Sequence, residues 1–146
     1  MSPIIDSSDA PKFFSMNEAV EKLLSAWEKH GSLILAVDFD DTIYNYSKDP
    51  RKDFTQIHDV LRECVKLGLK IVIFTARPKQ KWAEVVEYCN DIDLKIEGIN
   101  KNLIDVDKLG TDGKIYYNLL LDDKAGLSQA YVILKKTLRA MKAMME

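Results

Sequence analysis

Two separate apolar runs in this chain end in paired acidic residues. Leu33–Val37 is followed by Asp38, with Asp40 and Asp41 close behind, and Leu119–Leu121 is followed by Asp122 and Asp123. A third run, Leu69–Phe74, ends at Thr75, and Lys101 stands just past a weaker run over Leu94–Ile99. Taken singly, an Asp after a buried strand is a helix N-cap or a turn residue. That reading accounts poorly for two strands that both end in paired carboxylates, with a Thr and a Lys between them. If the strands run parallel, all of these groups arrive at one edge of a sheet. Carboxylates gathered there repel one another unless a cation neutralises them or some are protonated. Hard oxygen donors with few fixed protein contacts suit Mg²⁺, which keeps several waters and often bridges to phosphate.

The elements that must position these groups alternate between strand and helix. Met1 to Phe14, with Pro3, Pro11 and a Ser-Ser-Asp cluster, reads as a loose N-terminal segment, and residues 15–146 as one domain. Ser15 and Glu18 have the spacing of a capping box, Val20, Leu23, Leu24 and Trp27 share one helical face, and Gly31 supplies a stop. The unbroken run Leu33–Val37 is the mark of a strand buried on both faces. Asp53 and Gln56 open a second helix, with Ile57, Val60, Leu61, Cys64 and Val65 at helical spacing and Gly68 after it. Leu69–Phe74 is the second buried strand. Pro78 suits the first turn of a third helix carrying Trp82, Val85, Val86 and Cys89 on one face. A weak strand over 94–99, another over 115–121 and a last helix from about Ala125 complete the pattern. Such alternation predicts an α/β fold with a parallel sheet and right-handed crossovers, its ligand beyond the carboxyl ends of the strands.

Asp38-Phe39-Asp40-Asp41-Thr42 after an apolar run resembles the first motif of the haloacid dehalogenase (HAD) superfamily, the D-x-D-x-T box. Thr75 is similar to its second motif, Lys101 in Asn100-Lys101-Asn102 to its third, and Asp122-Asp123 to its acidic fourth. The four stand in the family's order between Leu33 and Leu127. Phe74-Thr75-Ala76-Arg77 and Leu121-Asp122-Asp123-Lys124 narrow the resemblance to small capless phosphatase-like proteins of bacteria and bacteriophages. The resemblance implies a Rossmann-like three-layer parallel sheet with helices on both faces. It also implies a Mg²⁺-dependent phosphomonoester hydrolase. Asp38 would attack phosphorus and form an aspartyl-phosphate, and Asp40 would protonate the leaving oxygen and then activate water. The side chains of Asp38 and Asp122 and the backbone carbonyl of Asp40 would hold the metal, with Asp123 as a further ligand or an outer metal-shell group. Thr75, Lys101 and backbone N–H groups near Asp40 and Asp41 would bind the phosphoryl group, while Thr42 orders the loop. Lys95, Lys108 and Lys114 are rivals for the lysine. Asp41 stands where the family commonly has Gly; Asp tolerates left-handed backbone, so the turn survives.

The family often inserts a cap domain after its first or second motif. Between Thr42 and Thr75, and again between Thr75 and Lys101, there is room only for a helix and a short connection, so no cap is expected and the site should be open. Tyr44, Tyr46, Arg77 and Trp82 are candidates for substrate contact. Arg77 could fork onto a second anionic group, with a surface salt bridge as its ordinary role. The tyrosines could stack on a base or simply pack the loop, and Trp82 reads as core. Lys and Arg number 21 against 23 Asp and Glu, a formal charge of −2 that gives no electrostatic support for a nucleic-acid substrate. A small phosphometabolite or nucleotide is the expected substrate; a polynucleotide-end phosphatase and a non-catalytic phosphate-binding scaffold are the alternatives. No window approaches a membrane span, the N-terminus does not read as a signal peptide, and Cys64 and Cys89 are isolated within helical patterns. A cytoplasmic protein with reduced cysteines follows. Leu127, Tyr131, Leu134, Leu138, Met141 and Met145 form a heptad-like stripe that either lies on the chain's own sheet or makes a homodimer seam.

Overall fold

The computed structural model of the chain describes residues 15–104 and 115–146. The expected loose segment 1–14 lies outside those residues, as do Lys108 and Lys114.

Helix α1 spans Met16–His30 and begins as its sequence predicts: the Ser15 side chain accepts the Glu18 backbone N–H at 3.2 Å. Gly31, at φ 75°, ends it in the left-handed conformation that favours glycine. Strand β1 (Ile34–Asp38) follows, then α2 (Thr55–Lys66), β2 (Lys70–Phe74), a single 3₁₀ turn (Lys79–Lys81) and α3 (Trp82–Asp91). Two short strands, β3 (Gly98–Ile99) and β4 (Leu119–Leu121), lead to α4 (Leu127–Met145). The sheet is parallel, in the order β3-β2-β1-β4, with Asp38 opposite Phe74 and Val37 opposite Leu121. This is the expected α/β, Rossmann-like architecture. Because β1 is followed by β2 on one side and paired with β4 on the other, the strand order reverses at β1, where such sheets place their ligands.

Leu35, Val37, Ile71, Ile73 and Leu121 of the sheet form one buried cluster with residues of all four helices, among them Trp27, Leu61, Val85 and Leu134. Ala36 and Val72, alternate positions in the pleat, are buried as well, which is why both runs are continuously apolar. Leu134, Leu138 and Met141 of the C-terminal stripe are buried, α4 packs against α1, and an ion pair between Lys142 and Glu63 ties it to α2. Met145, at the end of the stripe, is exposed. Both cysteines are free and buried, and burial pushes the Cys64 thiol up to about 12 and the Cys89 thiol to about 11. Among the described residues no helix is long and apolar enough to cross a membrane.

Four boundaries differ from the sequence pattern. Phe54 holds the N-cap position of α2, while the Asp53 carboxylate still accepts the Thr55 N–H at 2.9 Å. Pro78 is extended, with ψ 157°, so the third helix opens as a 3₁₀ turn and becomes α-helical only at Trp82. Its apolar face is also narrower than predicted: Val85 and Cys89 are buried, but Val86 is exposed. Strand β3 is short because Asp93 turns left-handed (φ 56°) and the Leu94 N–H bonds back to Cys89 O at 2.8 Å, extending the helix exit. Before β4, Asn118 donates its N–H to Ile34 O and accepts the Ile34 N–H on its side chain, so a side chain supplies one of the ladder's acceptors.

Candidate active site

The chain leaves β1 at Asp38 and turns back almost at once. The carbonyl of Phe39 lies within 3.1 Å of the N–H groups of Ile43 and Tyr44, and the Asp41 N–H reaches Tyr44 O at 2.6 Å. Asp41 takes a left-handed φ of 61°, the conformation its polar side chain tolerates better than most. Its carboxylate accepts from both the N–H and the hydroxyl of Ser47 and lies 3.8 Å from Lys52, contacts that hold its pKa below the ordinary value. Asp41 is therefore spent on the loop, its own N–H included. The N–H of Asp40 has no acceptor among the described residues and remains available to a ligand.

Thr42 is fully buried and joins the two acidic strand ends. Its hydroxyl oxygen lies 3.1 Å from Asp38 Oδ2 and 3.4 Å from Asp123 Oδ1, and it accepts the Asp123 N–H at 3.0 Å. A hydroxyl has one proton, so it can donate to one of the two carboxylates at a time, and Asp38 is the nearer. Across this junction Asp38, Asp122 and Asp123 each offer a carboxylate oxygen, all within 4.8 Å of one another. The crowding has an electrostatic signature. Asp38 is pushed from 3.8 up to about 6, first by burial and next by repulsion from Asp122, against the lowering effect of Thr42. Three hard oxygen donors, one of them half-desolvated and repelled by its neighbour, fit a hard divalent cation.

The β2 side of the site is built differently. Arg77 donates from Nη2 to Asp40 Oδ1 at 2.7 Å and from Nε to Asp40 Oδ2 at 3.2 Å, a two-pronged ion pair. Its remaining arm reaches Glu84 at 3.2 Å. The guanidinium also lies 5.0 Å from the ring centre of Phe39 and 5.3 Å from that of Tyr44, rings that stack on each other and meet Tyr88 edge-on. Trp82 donates its indole N–H to the Arg77 carbonyl at 2.9 Å, so this residue, expected in the core, is half-buried against the loop. Thr75 Oγ1 accepts the Arg77 N–H at 3.1 Å. Asn100, on a left-handed φ of 50° just past β3, brackets Thr75 from the other side. Its side chain accepts the Thr75 N–H at 2.9 Å and donates to the Thr75 carbonyl at 2.7 Å.

The structure thus brings Asp38, Asp122 and Asp123 together, with Asp40 just past the end of β1 and Thr75 just past the end of the neighbouring β2. Arg77, expected to meet a substrate anion, instead spends three of its five guanidinium N–H groups on Asp40 and Glu84 in this arrangement. Lys101 is exposed and, among the described residues, makes no ion pair; its aliphatic chain covers Gly98, where a Cβ would stand 2.9 Å from Lys101 Cδ. Lys95, its described rival, is exposed too. Tyr44 packs the loop, whereas Tyr46 is exposed. Sequence reasoning did not find the bracketing role of Asn100, nor Tyr88, which donates its hydroxyl to the Ile43 carbonyl at 2.9 Å, nor His58, whose ring nitrogen reaches the same oxygen at 2.8 Å. The only available hint for Asn100 was its place beside Lys101.

No family model and no curated protein matches the chain. Among solved structures it is similar to a conserved protein from Bacteroides thetaiotaomicron, with a TM-score of 0.57 and 22% identity over 72% of this chain and 91% of that one. At that identity the likeness is one of fold.

Proposed function

We propose that this protein is a Mg²⁺-dependent phosphomonoester hydrolase that works through an aspartyl-phosphate on Asp38. The observation that carries the reading is the trio Asp38, Asp122 and Asp123, converging from two strand ends within 4.8 Å and with Asp38 raised to about 6. Such a cluster is costly to hold without a cation and is well placed to hold one. The order of the four sequence motifs supports the same reading.

The residues divide the work as follows. Asp38, largely ionised at neutral pH with a pKa of about 6, attacks phosphorus with one oxygen while the bond from phosphorus to the leaving oxygen breaks. Asp40 supplies the proton that the leaving oxygen takes up, and then receives a proton from the water that attacks the same phosphorus and releases Asp38. Mg²⁺, held by Asp38, Asp122, Asp123 and the Asp40 carbonyl, would offset negative charge on the nucleophile and the phosphoryl oxygens. The free N–H of Asp40 and the Thr75 hydroxyl, which accepts from Arg77 and keeps its own proton to give, bind phosphoryl oxygens. Lys101 joins them only if its side chain lifts from Gly98. A small phosphometabolite or nucleotide is the substrate class, and the cytoplasm the setting.

The test is phosphate release from p-nitrophenyl phosphate and from a panel of nucleotides and sugar phosphates, with and without Mg²⁺, beside Asp38→Asn. Release that is lost with chelator and in the variant is expected. Release that survives Asp38→Asn would overturn the mechanism. No release by folded protein from any compound would turn the reading toward a macromolecular phosphate or a binding role.

A further inference from the structure

We infer that Arg77 is a positioning residue for Asp40: its guanidinium holds the Asp40 carboxylate in the orientation from which it serves the leaving oxygen. The inference rests on the proposed hydrolase and adds a residue to it. Arg77 was expected on sequence grounds to meet a substrate anion, and the geometry gives it another task. Two nitrogens engage the two oxygens of Asp40, at 2.7 and 3.2 Å, so the carboxyl plane is fixed and not merely attracted; the proton for the leaving oxygen is carried on Oδ2, at the longer contact, while Oδ1 keeps the shorter bond. A single ion pair with a lysine would leave that plane free to turn.

Arg77 is itself held from every side. Its third arm is taken by Glu84 at 3.2 Å, its planar face lies over Phe39 and Tyr44, its carbonyl receives the Trp82 indole N–H, and its own N–H is fixed by Thr75. Its side chain is only 19% exposed. Phe39 and Asp40 are neighbours in the chain, so the ring that supports the guanidinium and the carboxylate it orients belong to the same turn. A surface salt bridge of ordinary kind has none of this support and contributes little. Three of the five guanidinium N–H groups are engaged in this way, two of them on Asp40. Loss of a residue that orients Asp40 should be felt in turnover and not in binding.

The experiment compares wild type, Arg77→Ala and Arg77→Lys with two probes, p-nitrophenyl phosphate and phenyl phosphate, in Mg²⁺. The first releases a stable anion and needs little help from an acid; the second needs a well-placed proton donor. Arg77→Ala is expected to lower kcat/KM for phenyl phosphate by about 10²-fold, the lower end of what a positioned acid supplies, and clearly less for p-nitrophenyl phosphate. KM should stay within about twofold, as for a group that acts on the transition state alone. Arg77→Lys, which keeps the charge without the fork, should recover only a small part. A rise in KM at unchanged kcat would make Arg77 a substrate-binding residue and overturn the inference, as would equal losses in kcat/KM for both probes, since kcat/KM reports the steps through loss of the leaving group and not the later attack of water. A crystal structure of Arg77→Ala gives a readout free of activity: the Asp40 carboxylate is expected to turn from its wild-type orientation, and an unmoved carboxylate would contradict the proposal. If wild type releases no phosphate, or Asp38→Asn releases it unchanged, the hydrolase reading fails by itself, and the Asp40 orientation still decides the role of Arg77.

Discussion

The two halves of the site treat negative charge in opposite ways. At the junction of β1 and β4, Asp38, Asp122 and Asp123 face one another with one buried hydroxyl between them, and Asp38 is pushed up to about 6. Toward β2 and β3, Asp40 is met by a forked arginine, Glu84 takes that arginine's spare arm, and Thr75 is bracketed by Asn100. One side is frustrated and the other saturated. The difference separates two jobs that acidic residues near a sheet edge can do. Frustrated carboxylates are arranged for a charge that arrives from outside the chain, whereas saturated ones are arranged to keep a fixed direction.

Neutralising a residue on the frustrated side should therefore destroy function while sparing or improving the metal-free fold. Asp38→Asn is expected to lower phosphate release by at least about 10³-fold, as removal of a nucleophile does. In the absence of metal its Tm should equal or exceed that of wild type. The sign follows from the shift: a carboxyl raised from 3.8 to about 6 in the folded protein adds stability below about pH 4 and loses it as pH rises through about 6. The gap in Tm between Asp38→Asn and wild type should accordingly grow from pH 4 to pH 7, and Mg²⁺ should close it by stabilising wild type. A metal-free Tm for Asp38→Asn well below wild type at pH 7 would mean that the cluster is not frustrated.

Thr42 lies where that repulsion is partly relieved, and its loss is the next largest effect. Thr42→Val keeps shape but removes a buried hydroxyl that touches Asp38 and accepts the Asp123 N–H. Thermal or urea unfolding should show a loss of about 1–3 kcal/mol, because the Asp123 N–H is left without its acceptor. An unchanged midpoint would show that the two strand ends are not joined through this residue. On the saturated side, Asn100→Gly retains access to the left-handed backbone and deletes only the bracket on Thr75. A cost of about 1 kcal/mol in unfolding is expected, together with a rise in KM from a less fixed phosphate contact. Stability and KM both unmoved would break the claim that this side is built for direction.

The frustrated half was legible in the sequence because each of its members directly follows an unbroken apolar run, and a buried parallel strand has only one end at which to present them. Thr42 was legible for the same reason, four residues beyond Asp38 in a motif of fixed spacing. The saturated half was not. Arg77 and Asp40 are 37 residues apart, and an arginine three positions after a strand can point at solvent, substrate or protein with equal ease. The Asn100 bracket depends on a left-handed backbone at a residue that the sequence marks only as neighbour to a lysine. Among the elements, the long buried runs fixed β1 and β2 closely, while β3 and β4 were read too long. Their hydrophobic residues serve the core from a helix exit and a loop as readily as from a ladder, and periodicity does not tell these apart. The 3₁₀ entry to α3 was hidden likewise, since Pro78 suits a first helical turn and an extended cap equally well.

The most direct test of the account is to trap the covalent intermediate. Wild-type protein mixed with p-nitrophenyl phosphate and Mg²⁺ would be quenched, reduced with borohydride to convert an acyl phosphate to its alcohol, digested and mapped by mass spectrometry. Modification at Asp38, dependent on both probe and Mg²⁺ and absent at Asp40, Asp122 and Asp123, is the predicted result. Modification at another residue, or turnover with none at Asp38, would contradict it.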